Sequence, residues 1–329
     1  MLYYPISIGE RELERKPTRH GYGDGMVELG KKNPNVVVLG ADLTSSTSAD
    51  RFQKAFPDRF FSFGIAEQNM EAAAGGLSLV GKIPFVATYA VFSSGRSWDQ
   101  LRTTICYSNL NVKIGGAHGG VSVGPDGATH QALEDLALTR CVPNLVVISP
   151  CDYHEAKKAT IAAGEHVGPC YIRFGREAMP IVTDESTPFK IGEAVMFREG
   201  TDCTIVATGH MVHRALVAAE RLENEGLSVR VLNLNTIKPI DKDALIRCAE
   251  ETGCFVTAEE HQLHGGMGSA VGEVLMEHRP IPVEMIGIRD RFGESGDPEA
   301  LMDHFGLGIE HVADAVRRVV GRKKKAAGA

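Results

Sequence analysis

Short apolar segments alternate with amphipathic or small-residue segments between residues 20 and 180, and this alternation constrains the fold more than any other feature. Six apolar segments are predicted to be strands: NVVVLGADL (35–43), FFSFGIAE (60–67), IPFVATYA (83–90), NVKIGG (111–116), NLVVISP (144–150) and PCYIRFG (169–175). Helices are predicted near 22–32, 67–80, 92–107, 130–140 and 153–164. Strands that each lead into a helix form a parallel sheet covered on both faces, so we predict an α/β fold.

A second, shorter α/β series follows a connecting stretch of irregular composition. Its strand-containing segments are CTIVATG, LSVRVLNLN, GCFVTAEEH and IPVEMIGIRD. A segment of this length can build a core of its own. We therefore expect one domain over residues 1–185, a linker over 186–200 and a smaller α/β domain over 201–329.

Charge and cysteine content exclude several classes of protein. The net charge of −7 argues against a nucleic-acid partner or a membrane surface, and only the end, RRVVGRKKKAAGA, is locally basic, which we interpret as a solvated, frayed terminus. The seven cysteines include no C-x-x-C pair, which favours reduced, packed thiols over disulfides or a metal site. No apolar run has the length of a membrane span, and we expect a cytoplasmic protein.

A carboxylate stands where a strand passes into a small-residue helix. In FGIAEQNM, Glu67 follows an aromatic strand and precedes EAAAGGLSL. A carboxylate at this position is expected to be partly withdrawn from water, which suits it to holding or moving one proton. The alternative is a plain acid at a helix N-terminus, stabilised by the helix dipole.

The glycine-rich segment GGAHGGVSVGPDGATHQALED (115–135) has no apolar periodicity and is predicted to be a long loop. It carries His118, Asp126 and His130, and long loops in compact domains are usually functional. We expect both histidines to point toward a polar ligand, with Thr129 or Asp126 capping the helix that follows. Each histidine alone could equally be a surface residue.

Two further glycine-rich segments resemble nucleotide-binding turns only superficially. GYGDG (21–25) follows no strand, and HQLHGGMGSAV (261–271) is better explained by close packing of a helix on a sheet than by anion binding. Beside the second, Glu259 and Glu260 are expected in an exposed turn. Arg19 and Arg176 are flanked by turn residues near the two ends of the first domain, where a guanidinium suits a phosphate or carboxylate, or a surface ion pair.

Two of these segments together resemble a known family. FGIAEQNMEAAAGGLSLVGKIPFVATYAVF followed by AHGGVSVGPDGATHQALEDLA is similar to the pyrimidine-binding domain of transketolases, and the region after residue 190 resembles the transketolase C-terminal domain. The resemblance implies thiamine diphosphate as cofactor. It implies that Glu67 bonds to a ring nitrogen of the aminopyrimidine and favours its imino form, that Phe92 with Tyr89 stacks on that ring, and that Asp42 lies beside the thiazolium.

The resemblance also implies roles toward a sugar phosphate. His130 would lie by the reacting carbonyl, and His118 by substrate hydroxyls. Asp126 would bind a hydroxyl next to the donor carbon. Arg19, Ser46 and Arg176 resemble the family's clamp for a terminal phosphate, with Ser45 as an alternative to Ser46.

One departure from the family determines the expected assembly. Full-length transketolases carry a separate domain whose G-D-G motif and a later Asn hold Mg²⁺ or Ca²⁺ and the diphosphate, and we expect that domain to lie on another subunit. Gly23-Asp24-Gly25 is not its equivalent, because it precedes a strand and ADRFQKAF downstream has no Asn. We expect no metal site in this chain and an α2β2 assembly with a diphosphate-binding subunit.

The predicted activity is transfer of a two-carbon ketol unit between phosphorylated sugars. The alternatives are a subunit of the 1-deoxyxylulose-5-phosphate synthase type, a 2-oxoacid dehydrogenase E1β-type subunit, and a non-catalytic homologue. The D-G-A-T-H-Q loop argues against the E1β type, and the presence of both Glu67 and His130 argues against a non-catalytic protein.

Overall fold

A computed structural model describes residues 2–8 and 12–327. The strands within these residues are β1 (Leu2–Tyr3), β2 (Arg15–Pro17), β3 (Val36–Gly40), β4 (Phe60–Ser62), β5 (Ile83–Tyr89), β6 (Lys113–Ala117), β7 (Val146–Ile148), β8 (Cys170–Phe174), β9 (Ala178–Pro180), β10 (Val195–Arg198), β11 (Cys203–Ala207), β12 (Val229–Asn233), β13 (Thr236–Lys238), β14 (Phe255–Gln262) and β15 (Val283–Ile288). The α-helices are α1 (Thr18–Lys32), α2 (Asp50–Ala55), α3 (Glu67–Leu79), α4 (Asp135–Arg140), α5 (Tyr153–Glu165), α6 (Met211–Glu223), α7 (Lys242–Thr252), α8 (Met267–His278), α9 (Pro298–His304) and α10 (Ile309–Ala327).

The first sheet has seven strands in the order β13-β7-β8-β6-β5-β3-β4. Its six strands from the first half of the chain run parallel, and β13 pairs antiparallel with β7 at one edge. Every residue of β3, β6 and β8 is buried, as expected for strands covered by helices on both faces. The predicted α/β class is confirmed, and all six predicted strand segments contain a strand.

The second sheet has six strands in the order β1-β10-β12-β11-β14-β15. Strand β1, from the start of the chain, pairs with β10, whereas β13, from the later half of the chain, completes the first sheet. Each sheet therefore ends in a strand contributed by the other half of the chain.

Two of the predicted helices differ from the structure. The segment predicted as one helix over 92–107 contains two π-helical stretches, Phe92–Arg96 and Gln100–Cys106. The helix predicted over 130–140 begins only at Asp135, and its N-cap residue is Glu134, whose side chain makes no capping bond. Thr129 and Asp126 lie too early in the chain to cap it, so that expectation was wrong.

The segment GYGDG lies inside α1 and brings α1 against α5. A Cβ atom added to Gly21 would lie 2.2 Å from the backbone oxygen of Tyr153, and one added to Gly25 would lie 2.7 Å from the Thr160 Cβ. Glycine is required here because any side chain would separate the two helices. The expectation that no strand precedes GYGDG was wrong, because β2 leads directly into α1. The segment nevertheless packs helices, which agrees with rejecting it as a nucleotide turn.

Glu259 and Glu260 are not in an exposed turn, contrary to expectation: both are buried in β14. The Glu259 carboxylate accepts hydrogen bonds from the backbone N–H groups of Met267 and Gly268, over 2.6 and 2.8 Å. These groups open α8, so a carboxylate of the chain itself neutralises the positive end of that helix. The N-terminus of α8 is thus occupied, and close packing is the correct interpretation of its glycines.

The basic C-terminal segment is also more ordered than expected, because α10 continues to Ala327. Arg317 forms ion pairs with Glu225, Glu310 and Asp314, and Arg322 pairs with Glu284. Local composition did not reveal these acidic partners, two of which, Glu225 and Glu284, lie outside α10. Residues 328 and 329 of the expected frayed end lie outside the described residues.

Candidate active site

Six of the ten sequence-predicted site residues lie at or shortly after the carboxyl ends of strands of the first sheet, where ligands of parallel sheets bind. Asp42 follows β3, Glu67 follows β4, Phe92 follows β5, His118 follows β6 and Arg176 follows β8, while Tyr89 is the last residue of β5. The positions come from five strands that are hydrogen-bonded neighbours in one sheet.

Glu67 is the first residue of α3, and its side chain is only 2% exposed. The Nη1 atom of Arg96 donates a hydrogen bond to Glu67 Oε1 over 2.9 Å. Burial of an ionised carboxylate is costly without such a partner. The position therefore combines the two interpretations of the sequence, since the residue is a helix N-terminal acid that is also withdrawn from water.

Two rings, those of Tyr89 and His130, contact the Phe92 ring. The ring of Tyr89 is nearly parallel to it, with a centroid distance of 5.9 Å and an interplanar angle of 12°. The His130 ring presents its edge to Phe92 at 5.5 Å and to Tyr89 at 6.0 Å. The His130 Nδ1 atom lies 2.8 Å from the Thr129 hydroxyl, which fixes the orientation of the imidazole.

His118 is the residue in this group that is held most tightly. It is 1% exposed, adopts a φ of 60°, and stacks on Tyr89 at 3.9 Å. Burial, and then the positive charges of Arg19 and Arg176, lower the pKa of His118 to about 3, so the imidazole is neutral at neutral pH. Its Nδ1 atom is buried and has no hydrogen-bond partner among the described residues, which leaves one polar atom for a ligand.

Positive charge accumulates beside His118. Arg176 donates from Nη1 to Asp126 Oδ1 and to the Val123 carbonyl, both over 2.9 Å. Arg19 donates to the carbonyl of Ser46 over 3.2 Å, and its buried Nε has no partner among the described residues. Burial and the charge of Arg176 lower the pKa of Arg19, so an anion bound between the two guanidinium groups would relieve a real repulsion.

Two predicted site residues, Asp42 and Ser46, form no hydrogen bond or ring contact to the other site residues through their side chains in the described part of the chain. Asp42 is exposed, with a φ of 61°, and in the described part of the chain no hydrogen bond or ring contact joins it to the other site residues. Ser46 contributes its backbone carbonyl rather than its hydroxyl to Arg19, and the neighbouring Ser45 is exposed.

Sequence reasoning missed three residues next to Glu67. Arg96 pairs with Glu67 and lies over Phe92, while Glu71 is buried and accepts a hydrogen bond of 2.7 Å from Ser97. The signal available was spacing alone, because residues four apart in a helix lie side by side. That rule pairs Phe92 with Arg96 and places Glu71 one turn below Glu67.

Strand β14 of the second sheet holds the glycine-rich segment in place. Glu260 Oε1 accepts a hydrogen bond of 2.6 Å from the backbone N–H of Ser122, and a Cβ atom added to Gly120 would lie 2.1 Å from the same oxygen. Glu260 Oε2 also lies 3.5 Å from His210 Nδ1. The segment predicted as a loop over 115–135 begins within β6, contains a 3-10 helix over Val121–Asp126 and ends at the start of α4. The part of it that carries three of the predicted site residues is thus fixed from a strand of the other sheet.

These residues fit a flat heteroaromatic ring with hydrogen-bonding nitrogens. A buried carboxylate, an aromatic face and an unpartnered imidazole nitrogen supply an acceptor, a stacking surface and a further polar contact. No group of three or more His, Cys, Asp or Glu side chains in residues 2–8 and 12–327 is arranged to hold a metal ion. In the same residues, no helix combines the length and the apolar character that crossing a membrane requires.

Known proteins share both halves of this architecture. Residues 14–181 match the family described as transketolase, pyrimidine binding domain, and residues 192–312 match transketolase, C-terminal domain. A protein of Methanocaldococcus jannaschii described as a putative transketolase C-terminal section is 42% identical over 94% of this chain and 97% of its own length. A subunit of 6-deoxy-6-sulfo-D-fructose transketolase from Clostridium sp. is 40% identical over 95% and 98%.

A solved structure agrees with these sequence relatives. It is described as a split gene transketolase in an inactive β4 tetramer, and it superposes on this chain with a TM-score of 0.88 and 49% identity. The match covers 93% of this chain and 99% of that one.

Proposed function

Because this chain belongs to the transketolase family, we propose that it is the C-terminal (β) subunit of a thiamine-diphosphate-dependent transketolase that transfers a two-carbon ketol unit between phosphorylated sugars. The observation that carries the proposal is that the buried carboxylate of Glu67 and the aromatic face of Phe92 both contact the same side chain, that of Arg96. Together they offer a proton-holding group and a stacking surface for one heteroaromatic ring.

The bound cofactor would supply a carbon nucleophile that adds to the carbonyl of a ketose. Glu67 would hold the proton at a ring nitrogen of the aminopyrimidine, and Phe92 with Tyr89 would fix the plane of that ring. His130 lies close enough to both aromatic rings to exchange a proton with a group bound over them. Asp42 is proposed to lie beside the thiazolium.

The remaining residues would bind the sugar phosphate. His118, neutral and with one free nitrogen, suits a substrate hydroxyl, and Asp126 suits a hydroxyl next to the donor carbon. Arg19 and Arg176, with Ser46 or Ser45, would hold the terminal phosphate. Two guanidinium groups on one phosphate fix the direction of the carbon chain, which favours reaction at one end of it.

A second subunit is part of the proposal. The Methanocaldococcus and Clostridium relatives, described as a section and a subunit, align with this chain over almost their whole length. We propose that a diphosphate-binding partner supplies the diphosphate site together with most of the ligands for Mg²⁺ or Ca²⁺, and that the two chains share thiamine diphosphate in an α2β2 assembly.

The decisive experiment is Glu67→Ala in the complex of this chain with its diphosphate-binding partner. We expect the rate of ketol transfer to fall by about 10²–10⁴-fold, the usual size of a lost acid–base group. Asn69→Ala is the matched control, because Asn69 is an exposed residue of the same helix. An unchanged rate for Glu67→Ala would instead identify a non-catalytic homologue.

A further inference from the structure

Arg96 contacts both groups that the proposed cofactor site would use. Its guanidinium carbon lies 4.2 Å from the centroid of the Phe92 ring, and its Nη1 donates to Glu67 Oε1 over 2.9 Å. The guanidinium therefore stacks on one aromatic face and bonds to one buried carboxylate at the same time.

A guanidinium and an aminopyrimidine are chemically similar in the respects that matter at this position. Both are planar, both stack on aromatic faces, and both present nitrogen-bound hydrogens at their edge. A Phe92 face covered at 4.2 Å cannot accept a second planar group on the same side. The cation and the ring are therefore competitors for one place.

We propose that, in the chain alone, the Arg96 side chain occupies the position in which the cofactor's aminopyrimidine ring binds. The Arg96 side chain then moves into solvent when the ring binds. This inference rests on the function proposed above. It assigns Arg96 as a positioning residue that keeps Glu67 paired until the cofactor arrives.

The two ends of the ion pair differ in a way that decides which of them moves. The Arg96 side chain is 47% exposed, whereas that of Glu67 is 2% exposed. Arg96 can regain hydration at small cost, while Glu67 would remain buried and would need the ring as its new partner. Departure of Arg96 and arrival of the ring are thus coupled through Glu67.

The backbone around Arg96 is fixed, so the movement is confined to its side chain. The carbonyl of Arg96 accepts a hydrogen bond of 3.0 Å from Gln68 Nε2. The next residue, Ser97, donates to the buried Glu71 over 2.7 Å. The Arg96 side chain can therefore leave the ring-binding position without a rearrangement of the π-helical backbone.

The test uses the full chain without its partner and thiamine as the probe, with binding measured by ligand-observed NMR. We expect Arg96→Ala to bind thiamine about tenfold more tightly than the wild type, because one cation–π contact and one charge-assisted hydrogen bond no longer compete. Arg96→Lys, which keeps a cation near Glu67 but has no planar group, should also bind more tightly and guards against a folding defect in Arg96→Ala.

The direction of the effect separates this role from a structural one. If Arg96 only stabilised the fold, its removal would weaken binding, so equal or weaker binding by both variants, or no detectable binding by either of them, would overturn the inference. Adding Glu67→Gln to Arg96→Ala should cancel the gain, and a retained gain would place the ring elsewhere and also overturn it. The rate of Glu67→Ala in the assembled complex judges the proposed function separately.

Discussion

Glu71 lies one helical turn beyond Glu67 and is fully buried. Its Oε1 accepts a hydrogen bond from Ser97, and its buried Oε2 has no partner among the described residues. Burial, and also the nearby charge of Glu67, raise the pKa of Glu71 well above its usual value. Burial therefore favours the neutral form of the Glu71 carboxyl over the ionised form, which distinguishes it from the ion-paired Glu67.

We predict that Glu71→Gln becomes increasingly more stable than the wild type as the pH rises. In the wild type the unfolded chain loses the proton above about pH 4.5, whereas the folded chain keeps it, so unfolding is favoured progressively. The difference in free energy of unfolding should grow by about 1.4 kcal/mol per pH unit until the folded pKa is reached. Urea unfolding at several pH values measures it.

Glu250→Gln is the control for this measurement, because Glu250 is an exposed residue of α7. It should leave the pH dependence of stability as in the wild type. A constant difference between Glu71→Gln and the wild type across the pH range would show that Glu71 is ionised in the folded chain.

Arg176 gives a prediction about substrate binding. We expect Arg176→Gln in the assembled enzyme to raise KM for a phosphorylated sugar by about tenfold or more, since a hydrogen bond to a charged group contributes about 1.5–3 kcal/mol. Steady-state kinetics with the phosphorylated sugar and with its unphosphorylated analogue measures the effect. The KM for the analogue is the control, and an equal rise for both would contradict a role in phosphate binding.

The sequence could indicate part of the candidate site because strand ends are recognisable. Residues such as Glu67 and His118 directly follow apolar segments, and parallel strands bring such positions to one edge. Glu71 and Arg96 could not be found in this way. Spacing of four residues places each of them beside a predicted site residue. The burial of Glu71 and the pairing of Arg96 with Glu67 depend on how α3 packs against the 92–106 segment, which spacing alone does not record.

At the scale of elements, the π-helical stretches explain why residues 92–107 were predicted as one ordinary helix. Backbone N–H groups bond five residues back, from Ser97 to Phe92 over 3.2 Å and from Tyr107 to Arg102 over 2.9 Å. A 3.6-residue period cannot represent this winding, and π-bulges occur frequently at functional sites. Here the first stretch begins with Phe92 and ends with Arg96, the two residues that contact each other at the site.

Glycine-to-alanine substitutions in α1 and in α10 are expected to have opposite effects on the stability of the fold, because only α1 packs its glycines against α5. Gly21→Ala should destabilise the chain by about 1–3 kcal/mol, because the new methyl group would meet the Tyr153 backbone oxygen. Gly321→Ala in α10 is the matched control, since nothing lies within 4 Å of its added Cβ. It should stabilise the chain by up to about 1 kcal/mol through helix propensity.

Urea unfolding measures the free energy of unfolding of each glycine variant relative to the wild type. If Gly21→Ala were as harmless as Gly321→Ala, α1 and α5 could not be as close as described, and the reason given for the glycines of GYGDG would fail.

At the scale of the whole molecule, this chain provides only part of the proposed cofactor site. Under the proposed function, the chain would supply residues for a heteroaromatic ring and a sugar phosphate, while a partner would hold the diphosphate and its metal ion. We predict that the chain alone, mixed with thiamine diphosphate and Mg²⁺, binds the cofactor weakly, and that the assembled complex binds it tightly.

Calorimetry measures this difference, and the fluorescence of Trp98, the single tryptophan of the chain, provides a second signal two residues from Arg96. Tight binding by the chain alone would contradict the division of the site between two subunits. Weak binding that is unaffected by addition of the partner would contradict the proposed assembly.

The exchange of β1 and β13 between the two sheets makes the halves of the chain interdependent. A peptide bond cleaved in the connecting stretch, after β9 and before β10, would leave each fragment with an unpaired edge shaped for the other. We therefore expect such fragments to behave as a complementation pair, insoluble when produced singly and recovered together when produced in the same cell.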